Sequence, residues 1–400
     1  MAAFLIIYLA LFAGAVSPAA APRTDACASL HDIAGSSDDA STAILDCIQR
    51  LPTGGRLDLP PGVFTIRRQL RVAKSVTIST AGVSDADASC AQLPAHRCAT
   101  ILVDLSGDPN PYIMPIEVAA DGITLAHLII EGGQNPRLRT DCGEPNRRPL
   151  GGGMRILASH FTLRKSILRN FTCYTTVEAL SGRKFLTFED NYIGPNGDHR
   201  PGGVWSDGIT IHDAGDAIVR GNTFVDNTDV QLIFGGCQRC TIEGNNFRHR
   251  GSFAGASFAE LMLQAFPSTS GDYTGTIVTM NRIDCGPRRR CGYGMMIGSN
   301  PWKAGEDPHY PGAMFGGTIT RNLIRNAMIG MNIDSPTGPV EFDNNRVEVS
   351  GGLASSDCGL HDWPALNVAP SAVRFVRGSP ANAPANSIST TRCILNRLDH

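Results

Sequence analysis

Four carboxylates, Glu178, Asp207, Asp229 and Glu260, fall at comparable places in successive short segments of alternating sequence. Two carboxylates held close raise one another's pKa and divide into an acid and a base. A gap of about 5 Å suits a retaining glycosidase, and about 6.5–9.5 Å an inverting one. These four are the candidate catalytic residues. Arg155, Thr210, His212, Gln231 and Gln264 lie among them with the donors and acceptors that position a polar substrate. Trp205 and Trp302 sit in the insertions 194–206 and 299–316, where they would wall a groove and grip pyranose rings by stacking. No metal-ligand set stands out. Cys237 and Cys240 fall in a β turn with no second CxxC nearby, which reads as a structural disulfide rather than a zinc or redox site.

Such residues need a scaffold that repeats. Residues 206–227 (SDGITIHDAGDAIVRGNTFVDN) and 228–249 (TDVQLIFGGCQRCTIEGNNFRH) are two copies of one unit. Each has a short alternating strand, a turn, and a second strand ending in Asn-x-apolar. Asn191, Asn222, Asn245, Asn281, Asn322 and Asn345 extend the series. A period of this length marks a solenoid, whose units bury their apolar faces only against neighbours. The recurring Asn suits a turn whose side-chain amide bonds the backbone of the next coil. Period-2 strands, no helical period and 43 glycines exclude an α-rich fold.

Stacking the first strand of each unit sets a register. Ile209, Ile211, Val230, Leu232, Leu261, Leu263, Met295, Ile297, Met331 and Ile333 form the expected core ladder. Arg155, Glu178, Thr210, His212, Asp229, Gln231, Glu260, Met262, Gln264, Asn332 and Asp334 are expected to point outward. In this register Asp229 and Glu260 share a column, with backbones about 4.8 Å apart.

The repeat resembles the right-handed parallel β-helix, pectate-lyase-like superfamily over roughly Ala26 to Leu353. Asp38–Ile44 followed by Gly54-Gly55-Arg56-Leu57-Asp58-Leu59-Pro60-Pro61-Gly62 resembles its N-terminal cap, a short helix leading into the first coil. The resemblance implies one all-β solenoid domain over 22–353, with an irregular tail over 354–400 packed on it. Asp207, in Trp205-Ser206-Asp207-Gly208-Ile209, is similar to strand starts of polygalacturonase-like β-helices in which that Asp is catalytic. Gly292-Tyr293-Gly294-Met295-Met296-Ile297-Gly298-Ser299 resembles their G-H-G-φ-S-φ-G-S element, with Tyr293 in place of the His. Asp226 and Asp229 stand separated where those proteins carry paired aspartates. The resemblance implies a polysaccharide-degrading glycoside hydrolase, which needs no cofactor. It leaves two alternatives: a lyase or epimerase on uronate chains, with Arg155 as base and Ca²⁺ as cofactor, or a non-catalytic, adhesin-like glycan binder. The epimerase D-P-H-D motif and the calcium-binding G-G-x-G-x-D repeat are absent.

Residues 1–21 read as a signal peptide, with an apolar run ending in small residues and no Lys or Arg before it. The 12 cysteines all follow it, which is consistent with disulfides in a secreted or periplasmic protein. Cys90–Cys98 and Cys285–Cys291 are expected as loop clips, Cys27–Cys47 as a staple on the cap, and Cys358 and Cys393 as anchors of the tail. A net charge of −2 offers nothing to nucleic acid, and no stretch after the signal segment could span a bilayer. The expected partner is a polysaccharide; the sequence sets no oligomeric state.

Overall fold

The computed structural model describes residues 27–105, 113–133, 152–200, 203–250, 257–265, 269–299, 312–356 and 359–378. The signal segment, Trp302, Cys142, Cys358 and Cys393 fall outside these. Three parallel sheets of eleven, ten and ten strands run the length of the solenoid, and each coil contributes one strand to each. Sheet one begins at Gly55–Leu59, sheet two at Val63–Ile66 and sheet three at Leu70–Val72. The sequence-derived site strands all belong to sheet three.

Side chains of one kind stack on themselves up the interior. Phe188, Val219, Ile242 and Val278 form one inner column of sheet one. Phe224 and Phe247 stack in sheet two with ring centroids 4.9 Å apart. Such columns remove apolar area from water at about 25 cal/mol per Å². Polar groups at the corner between sheets one and two are satisfied by an asparagine ladder. Asn222 Nδ2 donates to Phe188 O (2.9 Å) and Asn245 Oδ1 (3.0 Å), while its own Oδ1 accepts the backbone N–H and Nδ2 of Asn191. The pattern repeats through Asn245, Asn281 and Asn322 to Asn345. The residue before each ladder Asn is left-handed: Asp190, Gly221, Gly244, Met280, Arg321 and Asn344 have φ of +51 to +66. That single αL residue turns the chain through the corner, and the asparagine behind it compensates the strain.

The N-terminal end of the core is closed by the helix Ser41–Arg50, whose buried face is Ser41, Ile44, Cys47 and Ile48. Cys27–Cys47 ties this helix to the segment before Ser29–Ile33. Cys90–Cys98, Cys237–Cys240 and Cys285–Cys291 are likewise bonded.

Past residue 353 the structure differs from the expected irregular tail. The antiparallel strands Gly352–Ser356 and Gly359–Trp363 form a hairpin, after which Leu366–Val368 rejoins sheet three and Val376–Arg377 rejoins sheet one. Leu366–Val368 thus completes the coil begun by Val340–Asp343 and Arg346–Glu348, with the hairpin inserted before it, and Val376–Arg377 opens one more turn.

Candidate active site

The outer face of sheet three carries one continuous column: Arg155, Glu178, Thr210, Ile233, Met262, Met296, Asn332 and Asn367. Alternation places Arg155, Glu178 and Thr210 outward, as expected. Glu178 is the hub. Its Oε2 accepts Arg155 Nε (2.7 Å) and Nη2 (2.6 Å), and its Oε1 accepts the Tyr174 hydroxyl (2.5 Å) and lies 3.1 Å from His212 Nε2. Burial works against its charge, yet His212, the Arg155 guanidinium and Tyr174 together hold the carboxyl below its usual range. A carboxylate so engaged favours its ionised form and holds Arg155, His212 and Tyr174 together. Trp205 sets its ring edge-on to Tyr174, 5.9 Å between centroids.

Beside this hub, Asp207 Oδ1 accepts the Val230 N–H (3.0 Å) and Oδ2 accepts the Thr210 hydroxyl (3.3 Å). Thr210 in turn meets Thr175 at 3.1 Å. Asp229 is the residue before Val230, so Asp207 bonds the strand that Asp229 leads into, one coil on. The two carboxylates differ in environment. Asp229 Oδ1 is buried with no hydrogen-bond partner among the described residues. Burial pushes its carboxyl up to about 7. Asp207 and Asp229 each keep a sliver of open surface, 6% and 7%.

Two of the expected site residues, Gln231 and Glu260, face elsewhere. The pairing of Val230–Phe234 with Ser257–Ala265 joins Val230 to Ala259 and Leu232 to Leu261, skipping Gln231 and Glu260. At this bend the alternation slips: Gln231 turns into the corner, where its Oε1 accepts Asn227 Nδ2 (2.5 Å) and its Nε2 donates to Asn227 O (2.9 Å). Leu232 is also inward, in the main core, whereas Val230 packs in the separate outer cluster. Val230 therefore leaves the expected core ladder. Glu260 is fully buried beside the Cys285–Cys291 disulfide. Its Oε1 lies 2.8 Å from His249 Nε2 and accepts the Ser257 hydroxyl (2.5 Å). It shares no column with Asp229, whose carbonyl instead accepts the Phe258 N–H (2.8 Å). Gln264 keeps the outward side of its strand, two residues after Met262; it is fully buried, and neither amide atom has a hydrogen-bond partner among the described residues. Tyr174, Thr175 and the Asp226–His249–Glu260 network were absent from the sequence reading. His249 stands between Asp226 (3.3 Å) and Glu260, and burial alone would lower its pKa, but the two anions raise it to about 9.

A family model described as a right handed beta helix region matches residues 150–262, the coils that carry this site. The chain is a right-handed parallel β-helix. Among solved structures, the polygalacturonase from Erwinia carotovora ssp. carotovora aligns over 79% of this chain and 91% of its own, with a TM-score of 0.55 and 12% identity. The family 28 exopolygalacturonase of Yersinia enterocolitica aligns over 90% and 66%, with a TM-score of 0.51 and 13% identity. The surface adhesin PfbA of Streptococcus pneumoniae aligns over 83% and 93%, with a TM-score of 0.46 and 13% identity. At these identities the likeness is one of fold. No curated protein matches the chain in sequence.

Proposed function

We propose that the protein is a glycoside hydrolase of a polysaccharide, with Asp229 as general acid and Asp207 as its partner carboxylate. The observation that carries this reading is the unequal couple: Asp229 is buried without a donor on Oδ1 and pushed up to about 7, while Asp207, bonded to the next residue's backbone N–H, accepts two hydrogen bonds. A protonated carboxyl gives its proton to the glycosidic oxygen as the bond to the anomeric carbon breaks. Asp207 then activates water or attacks that carbon, and water supplies the proton and hydroxyl that complete hydrolysis. Arg155, His212 and Tyr174, held by Glu178, are the substrate contacts together with Thr210 and the Trp205 ring. β-Elimination would need Arg155 as base, and its guanidinium is committed to Glu178. The disulfides fit a site of action outside the reducing cytoplasm. No helix among the described residues is long and apolar enough to cross a membrane.

The test incubates the protein with polygalacturonate, alginate, xylan and α-glucan, following reducing ends and the ultraviolet absorbance of unsaturated uronate. Reducing ends without absorbance, lost in Asp207→Asn and Asp229→Asn and unchanged by a calcium chelator, are expected. Absorbance growth would replace hydrolysis with elimination.

A further inference from the structure

The outer face of sheet three changes character within one coil. Its first column runs from Thr175 and Asp207 to Val230, Ala259, Tyr293 and Ile329. Its second runs from Glu178 and Thr210 to Ile233, Met262 and Met296. Both switch from polar to apolar at the same step, between the strands Ser206–Ile211 and Val230–Phe234. The apolar half is covered. Its residues form one buried cluster with Trp363, against which Ala354 packs, both from the hairpin Gly352–Ser356 and Gly359–Trp363. Trp363 is fixed in place, its Nε1 donating to Ala354 O (3.1 Å) and its ring edge-on to His361. Phe258, next to Asp229 across the coils, lies in the cluster edge-on to Tyr293 at 5.4 Å.

Towards the N-terminal coils the second column stays polar. Arg155 pairs with Glu117 and Glu117 with Arg71, and Arg71 forms an ion pair with Glu117 while its side chain remains 55% exposed. A polysaccharide laid along this face could therefore extend over the early coils. It could not continue past Asp229, because Val230, Ile233, Phe258 and Met262 are buried there.

We infer that the site works from a chain end, as an exo-acting hydrolase whose short product side is stopped by the Val230–Ile233–Phe258 wall. This rests on the hydrolase reading above. A closed end beside the acid leaves room for only the terminal sugar units beyond the scissile bond, with the rest of the chain running towards Arg155 and Arg71.

The two readings separate in one experiment on the wild-type protein. For each polymer in the panel that yields reducing ends, solution viscosity and product size are followed together early in digestion. The expected result is that reducing ends rise while viscosity is held, with products confined to one or two sugars. A steep viscosity loss with a spread of oligosaccharides would overturn the chain-end inference and leave the hydrolase standing. No new ends from any polymer would overturn the hydrolase reading and this inference with it.

Discussion

The buried network around His249 and the surface cluster around Asp229 draw on the same residue types and lie in neighbouring coils. In the first, each carboxylate faces a cation or donor: Asp226 binds His249 and Arg250, and Glu260 binds His249 and Ser257. In the second, Glu178 is matched in the same way. Asp229 Oδ1 and Glu260 Oε2 both lack a hydrogen-bond partner among the described residues, but Glu260 has the His249 cation beside it, whereas burial raises the Asp229 carboxyl. Matched charge stabilises a fold; an unmatched buried carboxyl holds a proton that chemistry can use. The difference separates two His–carboxylate clusters that look equivalent in sequence.

The strongest way to break this comparison is to remove the proton. Asp229→Asn should lower the hydrolysis rate by roughly 10²–10⁴-fold, the usual worth of a general acid. The same change should not cost stability at pH 8. The folded-state pKa of about 7 lies above the reference of 3.8, so between these values the native state keeps a proton the unfolded chain has lost. Wild-type stability therefore falls as pH rises across that window, and Asp229→Asn escapes the fall. Its Tm at pH 8 should match or exceed the wild type, read by thermal melts.

His249→Ala should do the reverse, costing about 3–5 kcal/mol because Asp226 and Glu260 lose their shared cation. Urea titration measures it. Because the raised pKa of about 9 exceeds the reference of 6.5, this stabilisation is complete below pH 6.5 and is lost as pH rises through 9. Asn245→Ala should cost about 2–3 kcal/mol by taking the acceptor from the Asn222 N–H and a donor from Val219 O and Asn281 Oδ1, again read in urea. The smallest effect is expected from Glu178→Gln, which loosens Arg155 and His212 without touching the couple. It should raise KM by about tenfold, 1.4 kcal/mol, with kcat largely kept. A collapse of kcat to the level of Asp229→Asn would make Glu178 catalytic and undo the distinction between matched and unmatched carboxyls.

Much of the scaffold was legible because its rules are local. Each ladder Asn follows one left-handed residue, and the column Arg155–Glu178–Thr210 obeys simple alternation. The cysteine spacings named four bonds that the structure contains. Errors arose where the period breaks. Alternation carried through the bend at Gln231 and Glu260 put both on the wrong face, and no residue type in those strands announces the bend. The strand that completes the last full coil escaped notice because a hairpin separates it from the repeat. That Glu178 is matched and Asp229 is not depends on Tyr174, His212 and Arg155 meeting across coils, which a column register names only in part.

The most direct test of the unequal couple is a carboxyl titration by ¹³C NMR on wild type and Asp229→Asn. One aspartate titrating near 7 in the wild type and missing from the variant is the predicted result. If the signal lost on substitution titrates with the ordinary aspartates near about 4, Asp229 is not the acid and the account of this site is wrong.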